Sequence, residues 1–252
     1  MNYRMLTLAA IMCAAAIPAS ARNYCGGLSG KEWDYRETNE ISMNLVNGRH
    51  FTEEVELGIK GTSGSLGDIG ADYHYTLSVM PNHARALNAL IRLAPRYPSG
   101  MLPGAKYPIE CYFERAVRIF PDDGTAWLMY ARYQYMKGRN DQALSMLEKA
   151  LAKSPEDPAI NYNMGLVYAK QKKYEQALPY AQKAYALNFP MPALKQMLVK
   201  AGKWVEPPPA PEANPGQPAA AAPAAAAAPS AQAAAATTAA SKPADPAAST
   251  KP

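Results

Sequence analysis

The sequence predicts an all-α protein, a solenoid of stacked helix pairs, and three observations lead to this prediction. Residues 141–152 (DQALSMLEKALA) recur as residues 175–186 (EQALPYAQKAYA), an offset of 34 residues. Apolar residues follow a helical period from residue 68 onwards, and proline or glycine residues separate the periodic segments. A single helix pair cannot bury its own apolar face, so about three or more pairs are expected to stack on one another.

Small residues recur in both copies at positions where two helices would touch. Ala143 and Ala150 of the first copy align with Ala177 and Ala184 of the second. Because alanine projects little beyond the backbone, it lets the second helix of each pair approach the first closely. Large side chains are expected to fill the remaining space between the helices: Trp127, Tyr130, Met164 and Tyr168.

These two copies resemble the tetratricopeptide repeat, a pair of antiparallel helices with a period of 34 residues. The first copy opens with Trp127, and the second carries Met164-Gly165-x-x-Tyr168 and closes at Pro190. The resemblance covers about the middle third of the chain. It implies one repeat at about 124–157 and a second at about 158–191.

Further helices are predicted on both sides of these two repeats. Another repeat is expected at about 84–121, with a loop rich in proline and glycine at 95–106 between its helices. Residues 68–80 are expected to be the second helix of an incomplete unit. A cap helix with a polar outer face is predicted at 192–201, since the last helix of a solenoid faces solvent on one side. The solenoid domain is therefore assigned to residues 68–204.

The first residues are typical of a secretory signal peptide, residues 1–21. Arg4 precedes an apolar run, and Ala19-Ser20-Ala21 forms a small-residue cleavage motif. Cleavage is expected after Ala21, which predicts a periplasmic protein with no stable membrane span after cleavage. A retained membrane anchor is the alternative interpretation.

The two segments that flank the solenoid carry weaker patterns. Residues 22–67 are predicted to form an irregular N-terminal arm with short helices, one of them over 53–60 after Thr52 as N-cap. Residues 205–252 are nearly all alanine and proline and cannot bury a core, so this C-terminal tail is predicted to be disordered. The tail could be a tether, a spacer or a substrate for O-glycosylation, and the sequence does not decide among these.

Two of the three cysteines remain after removal of the signal peptide, Cys25 and Cys111. An even number of cysteines in an oxidising compartment favours a disulfide. Such a bond would attach the N-terminal arm to the second helix of the repeat at 84–121. Two free thiols are the alternative.

The sequence offers no constellation that would support catalysis. His50, His74 and His83 are the only histidines, and none has metal-ligand spacing with cysteine or acidic residues. The sequence Gly61-x-x-Gly64-x-x-Gly67 lacks the Lys-Ser/Thr of a phosphate loop. We therefore predict no catalytic residue, no metal site, no cofactor and no enzyme activity. The mild positive charge, +5 for the whole chain, is interpreted as a mixed solvated surface, and no nucleic-acid partner is expected.

The resemblance also implies where a partner would bind. In tetratricopeptide repeats the first helices line a concave groove that holds peptides or protein segments. Aromatic side chains there supply contact area, and cations can pair with carboxylates. The family register gives ten groove positions: Arg85, Asn88, Arg92, Leu128, Arg132, Tyr135, Tyr162, Asn163, Leu166 and Lys170.

The whole chain after residue 21 also resembles a group of exported tetratricopeptide proteins of Gram-negative bacteria without an assigned activity. The similar pieces include Asp34-Tyr35-Arg36, His50-Phe51-Thr52 and Pro81-Asn82-His83. We expect a periplasmic adaptor or scaffold that binds another envelope protein or a peptide segment in the groove. Two alternatives stay open: a cell-wall or polysaccharide binder, and an accessory subunit of an envelope transport or biosynthesis complex. No oligomeric state is predicted.

Overall fold

A computed structural model describes residues 25–27 and 29–206. In this part of the chain there are ten α-helices, two short 3₁₀ helices and no strand, so the predicted all-α class is confirmed. The α-helices are α1 (Glu40–His50), α2 (Glu53–Glu56), α3 (Ile69–Val79), α4 (Ala84–Leu93), α5 (Ile109–Ile119), α6 (Gly124–Met136), α7 (Asn140–Lys153), α8 (Pro158–Lys170), α9 (Tyr174–Ala186) and α10 (Ala193–Lys200). The predicted signal peptide and residues 207–252 of the predicted tail lie outside the described residues.

The helices stack in chain order as a helical-repeat solenoid. Short turns join α6 to α7 and α8 to α9, so each of these pairs is antiparallel. Helix α4 packs against α6, α6 packs against α8, and α8 packs against α10. One continuous apolar core extends from Phe51 to Val167, and a second apolar cluster joins α8, α9 and α10.

The small residues found in the sequence lie where the helices approach most closely. Ala143, Ala150, Ala177 and Ala184 are all fully buried. On α8, a Cβ added to Gly165 would lie 3.2 Å from a backbone oxygen of α9. Because that distance is tighter than an ordinary contact, a larger residue would require the neighbouring helix to shift by a few tenths of an ångström.

The turns after α6, α8 and α10 have the same geometry. Each contains one residue in the left-handed region: Gly138 at φ 75°, Lys172 at φ 61° and Gly202 at φ 65°. In each turn the following backbone N–H donates to a carbonyl in the last turn of the helix, at 2.9–3.0 Å. The turn after α9 has this geometry as well, with Asn188 at φ 60°, so it ends first and second helices alike.

The N-terminal arm contains two helices and contributes to the core. Val46 of α1 and Val55 of α2 are buried, and α1 packs against α3. The predicted helix over 53–60 is wrong in its extent, because α2 ends at Glu56. Gly58 then adopts φ 69°, a left-handed conformation that favours glycine, and the chain turns here. Thr52 has the extended backbone of an N-cap but makes no side-chain capping bond.

A disulfide between Cys25 and Cys111 attaches the arm to α5. Arg115 of α5 strengthens this attachment, because its Nη1 donates to the Cys25 carbonyl at 3.1 Å and to the Gly27 carbonyl at 2.8 Å. Farther along the arm, the Trp33 backbone N–H donates to the Val79 carbonyl at 2.8 Å. The arm is thus fixed to α5 and α3.

His83 joins the arm to the first repeat. It is fully buried, and its ring packs against Tyr35 and Phe51, with centroids 4.4 and 5.0 Å away. Its Nδ1 accepts a hydrogen bond from the Ala86 backbone N–H at 3.2 Å, and this bond caps the start of α4. The ring proton is therefore on Nε2, which donates to Asn47 Oδ1 at 2.9 Å. Burial, followed by the charge of Arg85, lowers the pKa of His83 to about 3.

Reduction of the disulfide should destabilise the protein by about 4–5 kcal/mol, since the bond closes a loop of 86 residues in the unfolded chain. Urea unfolding of the mature chain, with and without dithiothreitol, measures this difference. The Cys25→Ser/Cys111→Ser double variant is the control, and dithiothreitol should leave its midpoint unchanged. Equal stability of the oxidised and reduced wild type would contradict the prediction.

Acid should destabilise the fold through His83. The pKa of His83 is about 3 in the folded protein and about 6.5 in the unfolded chain. The contribution of His83 to the free energy of unfolding is therefore complete above about pH 6.5 and is lost as the pH falls. At pH 5 the free energy of unfolding should be lower by about 2 kcal/mol because of His83. We expect His83→Asn, which keeps a capping acceptor, to lower stability at pH 8 but to flatten the dependence between pH 8 and 5. Urea titrations at both pH values test this, and parallel pH profiles of the two proteins would refute it.

Candidate protein-binding groove

The groove is built from α4, α6 and α8, which lie side by side as the first helices of three repeats. Their N-caps are His83, Asp123 and Asp157, and each cap side chain accepts backbone N–H groups of the helix that it starts. These matched starts put the helices in register. Equivalent positions can therefore be compared by counting from the cap. The ninth residue after the cap is Arg92 in α4, Arg132 in α6 and Leu166 in α8.

Predicted groove residues of two different repeats meet at the boundary of α4 and α6. Arg132 Nη1 donates to Asn88 Oδ1 at 2.9 Å. Asn88 is buried, whereas Arg132 remains partly exposed. Burial, followed by the charge of Arg92, lowers the pKa of Arg132. The two repeats therefore contribute to one continuous surface.

Tyrosines continue this surface from α6 to α8. Tyr135 of α6 is half-buried, and Tyr162 of α8 packs against Phe189 with ring centroids 4.5 Å apart. Burial, with contributions from Tyr185 and Tyr135, raises the pKa of Tyr162 to about 12. Tyr162 is therefore mainly a packing residue, while Tyr135 offers an accessible aromatic face.

The remaining predicted positions divide between the core and the surface. Leu128 is buried in the core, and Leu166 is partly exposed. Asn163 is partly exposed, and its Nδ2 donates to the Ala159 carbonyl of its own helix at 2.8 Å. Lys170 is exposed at the end of α8. The surface that a partner can reach is thus formed by the arginines, Tyr135, Asn163, Leu166 and Lys170.

Glu56 is a residue of this site that sequence reasoning missed. It comes from α2 in the arm, and its carboxylate forms an ion pair with Arg85. Its Oε1 also lies 3.7 Å from Arg92 Nη2. The run Glu53-Glu54-Val55-Glu56 is visible in the sequence, but nothing in the sequence places this short helix against α4. One end of the arginine-bearing surface is therefore already neutralised by the chain itself.

A second concave feature lies between the arm and α3. It is a cleft of about 540 Å³ whose walls include Trp33 and Tyr75, with Lys31 and Ser78 also on its lining. The two aromatic side chains are 41% and 46% exposed, which is high for residues of this size. His74 also lines the cleft, and burial, with the charges of Lys106 and Arg115, lowers its pKa, so its ring is neutral at pH 7.

Two features are absent from the described residues. No group of three or more histidine, cysteine, aspartate or glutamate side chains is arranged there to hold a metal ion. Among the helices with given bounds, none combines the length and the apolar character needed to cross a membrane.

A comparison with known protein families supports the repeated helix pairs of α6 to α9. Residues 132–189 match the family model of the tetratricopeptide repeat. This segment includes part of α6 and all of α7, α8 and α9, which contain the two copies with the 34-residue offset. No curated protein matches the chain. Proteins of this family are in general interaction modules without catalysis. Residues 132–189 are therefore identified as tetratricopeptide repeats within an all-α chain.

Proposed function

We propose that this protein is a periplasmic adaptor that binds an extended segment of another envelope protein in the groove of α4, α6 and α8. The observation that carries the proposal is the bond between Arg132 and Asn88, at 2.9 Å. It joins two repeats into one surface at the positions where the family register places the binding residues. A groove that spans several repeats suits an extended chain better than a small molecule.

The chemistry of the exposed groove residues supports a protein ligand. Tyr135 and Leu166 offer apolar contact area, and Arg92 and Lys170 offer positive charge beside it. Interfaces are rich in tyrosine and arginine because these side chains combine a broad contact surface with hydrogen-bond donors. The signal-like residues 1–21 and the disulfide between Cys25 and Cys111 support the periplasmic location.

Removal of exposed groove contacts should abolish capture of the partner without unfolding the protein. The variant is Tyr135→Ala/Leu166→Ala/Lys170→Glu, which leaves the buried Tyr162 in place. Chemical crosslinking in the native envelope, followed by mass spectrometry, should show one protein that the wild type captures at least about tenfold better, since each lost contact at a hot spot removes more than about 1 kcal/mol.

The matched control carries the same kinds of change outside the groove, Leu187→Ala and Lys153→Glu, both at exposed positions. Circular dichroism must show that all three proteins are folded. If the control loses the partner as well, or if the groove variant retains it, the groove is not the binding site.

The cleft between the arm and α3 favours a second candidate, binding to cell-wall polysaccharide. Trp33 and Tyr75 present exposed rings that can stack on sugar rings, and Ser78 and the neutral His74 can hydrogen-bond to hydroxyl groups. Lys31 could pair with an anionic substituent.

Sedimentation with purified peptidoglycan tests this second candidate. The wild type should co-sediment, and Trp33→Ala/Tyr75→Ala should remain in the supernatant, because it lacks both stacking surfaces. The groove variant is the control and should co-sediment like the wild type. If the wild type itself stays in the supernatant, the polysaccharide candidate is rejected.

A further inference from the structure

We propose that one edge of the solenoid binds the phosphate groups of an anionic phospholipid surface. This basic edge consists of the turns after α6, α8 and α10 with the helix ends that lead into them, residues 137–139, 170–173 and 200–203. The inference does not depend on a partner in the groove, and it goes beyond the proposed function.

The three turns lie at the same edge because α6, α8 and α10 pack side by side and run in the same direction. The direction of α10 follows from its contacts with α9. At the start of α10, the Lys195 backbone N–H donates to the hydroxyl of Tyr185, near the end of α9, at 2.9 Å. After the end of α10, Lys203 Nζ lies 3.0 Å from the carboxylate of Glu175, in the first turn of α9. Helix α10 is therefore antiparallel to α9, as α8 is.

Cations recur at equivalent positions of these turns. The residue that follows the left-handed residue is basic in all of them: Arg139, Lys173 and Lys203. The backbone does not require a cation there, because the turn after α9 has the same hydrogen bonds and carries Phe189 at this position. The repeated charge is therefore a property of this edge and not of the turn geometry.

Most of the charge at the basic edge is not neutralised within the described residues. Arg139 pairs with Glu110 at 2.9 Å, Lys203 pairs with Glu175, and Asp141 in the first turn of α7 adds one more carboxylate. The remaining cations of the edge are exposed and form no ion pair with a described residue: Lys137, Lys170, Lys172, Lys173 and Lys200. The edge therefore presents an excess of positive charge to the solvent.

The opposite edge, where α5, α7 and α9 end, has a different charge balance. Cations occupy the last turns there too, as the helix dipole favours. Two of them are paired, however, since Arg118 lies 3.0 Å from Glu114 and Lys183 lies 2.8 Å from Glu156. The helix dipole therefore accounts for cations at both edges, but not for the row of lysines without ion pairs at the basic edge.

The chemistry of this row suits a phospholipid surface. A lysine ammonium pairs with phosphate as a compact charge, and a flat anionic surface can contact lysines of successive repeats at the same time. Val199 in the last turn of α10 is 56% exposed, directly beside Lys200. An apolar side chain next to lysines can enter the boundary of headgroups and acyl chains while the ammonium groups stay at the phosphates. A soluble polyanion would leave Val199 without a partner.

Co-sedimentation of the full mature chain with vesicles tests the inference. The vesicles are made of phosphatidylcholine alone or of phosphatidylcholine mixed with phosphatidylglycerol. The wild type should bind the mixed vesicles at least about tenfold better, and high salt should abolish the difference by screening the charges. Lys172→Gln/Lys173→Gln/Lys200→Gln should bind about 100-fold more weakly, since each cation near an anionic surface strengthens binding about fivefold.

Two matched variants separate the basic edge from net charge and from loss of fold. Lys172→Arg/Lys173→Arg/Lys200→Arg keeps the charge and should bind like the wild type. Arg49→Gln/Lys106→Gln/Lys153→Gln removes the same charge from exposed positions elsewhere and should also bind like the wild type. Circular dichroism must show that all variants are folded.

Three results would overturn the inference. The first is a wild type that stays in the supernatant with both kinds of vesicle. The second is an equal loss of binding in the two glutamine variants, because net charge and not the edge would then be responsible. The third is a wild type that binds soluble polyphosphate but not the mixed vesicles, which would identify the edge as a site for a soluble polyanion.

Discussion

The structure depends on the close stacking of helix pairs that cannot bury their apolar faces alone. The stacking needs small residues at the contact points: Ala143 and Ala177, which are fully buried, and Gly165, where a larger residue would require the neighbouring helix to shift. It also needs a common start for the first helices, which aspartate or histidine caps provide. Once these conditions hold, equivalent positions of successive repeats come together on one surface. The groove is a consequence of this register.

The N-terminal arm is held to the repeats by polar contacts as well as by the disulfide. Asn82 is buried at their junction, where its Nδ2 lies 2.8 Å from Asp34 of the arm and 2.8 Å from Asp123, the N-cap of α6. Hydrogen bonds from Arg36 and Asn82 outweigh burial and lower the pKa of Asp34 to about 2, so this carboxylate stays charged. The same arm brings Glu56 to the groove. The charge of the binding surface is therefore set partly by a segment outside the repeats.

The sequence predicted the local features and the disulfide between Cys25 and Cys111, but not the other long-range contacts. The 34-residue offset and the alanine pattern were sufficient for the helix pairs, because both follow from the period of a helix. The end of α2 was missed, since Gly58 adopts φ 69° where its backbone packs closely against Leu93, 35 residues away in the chain. For the same reason the pairing of Glu56 with Arg85, and the cleft between Trp33 and Tyr75, could not be found from spacing. Family register gave groove positions, but only the structure shows that Leu128 and Tyr162 are buried.

We propose that one partner segment lies across α4, α6 and α8. A crystal structure of the mature chain with the captured segment is the most direct measurement. We expect the segment to contact Tyr135 and Leu166 in this groove. A segment bound on the convex helices, or in the cleft of Trp33 and Tyr75, would contradict it.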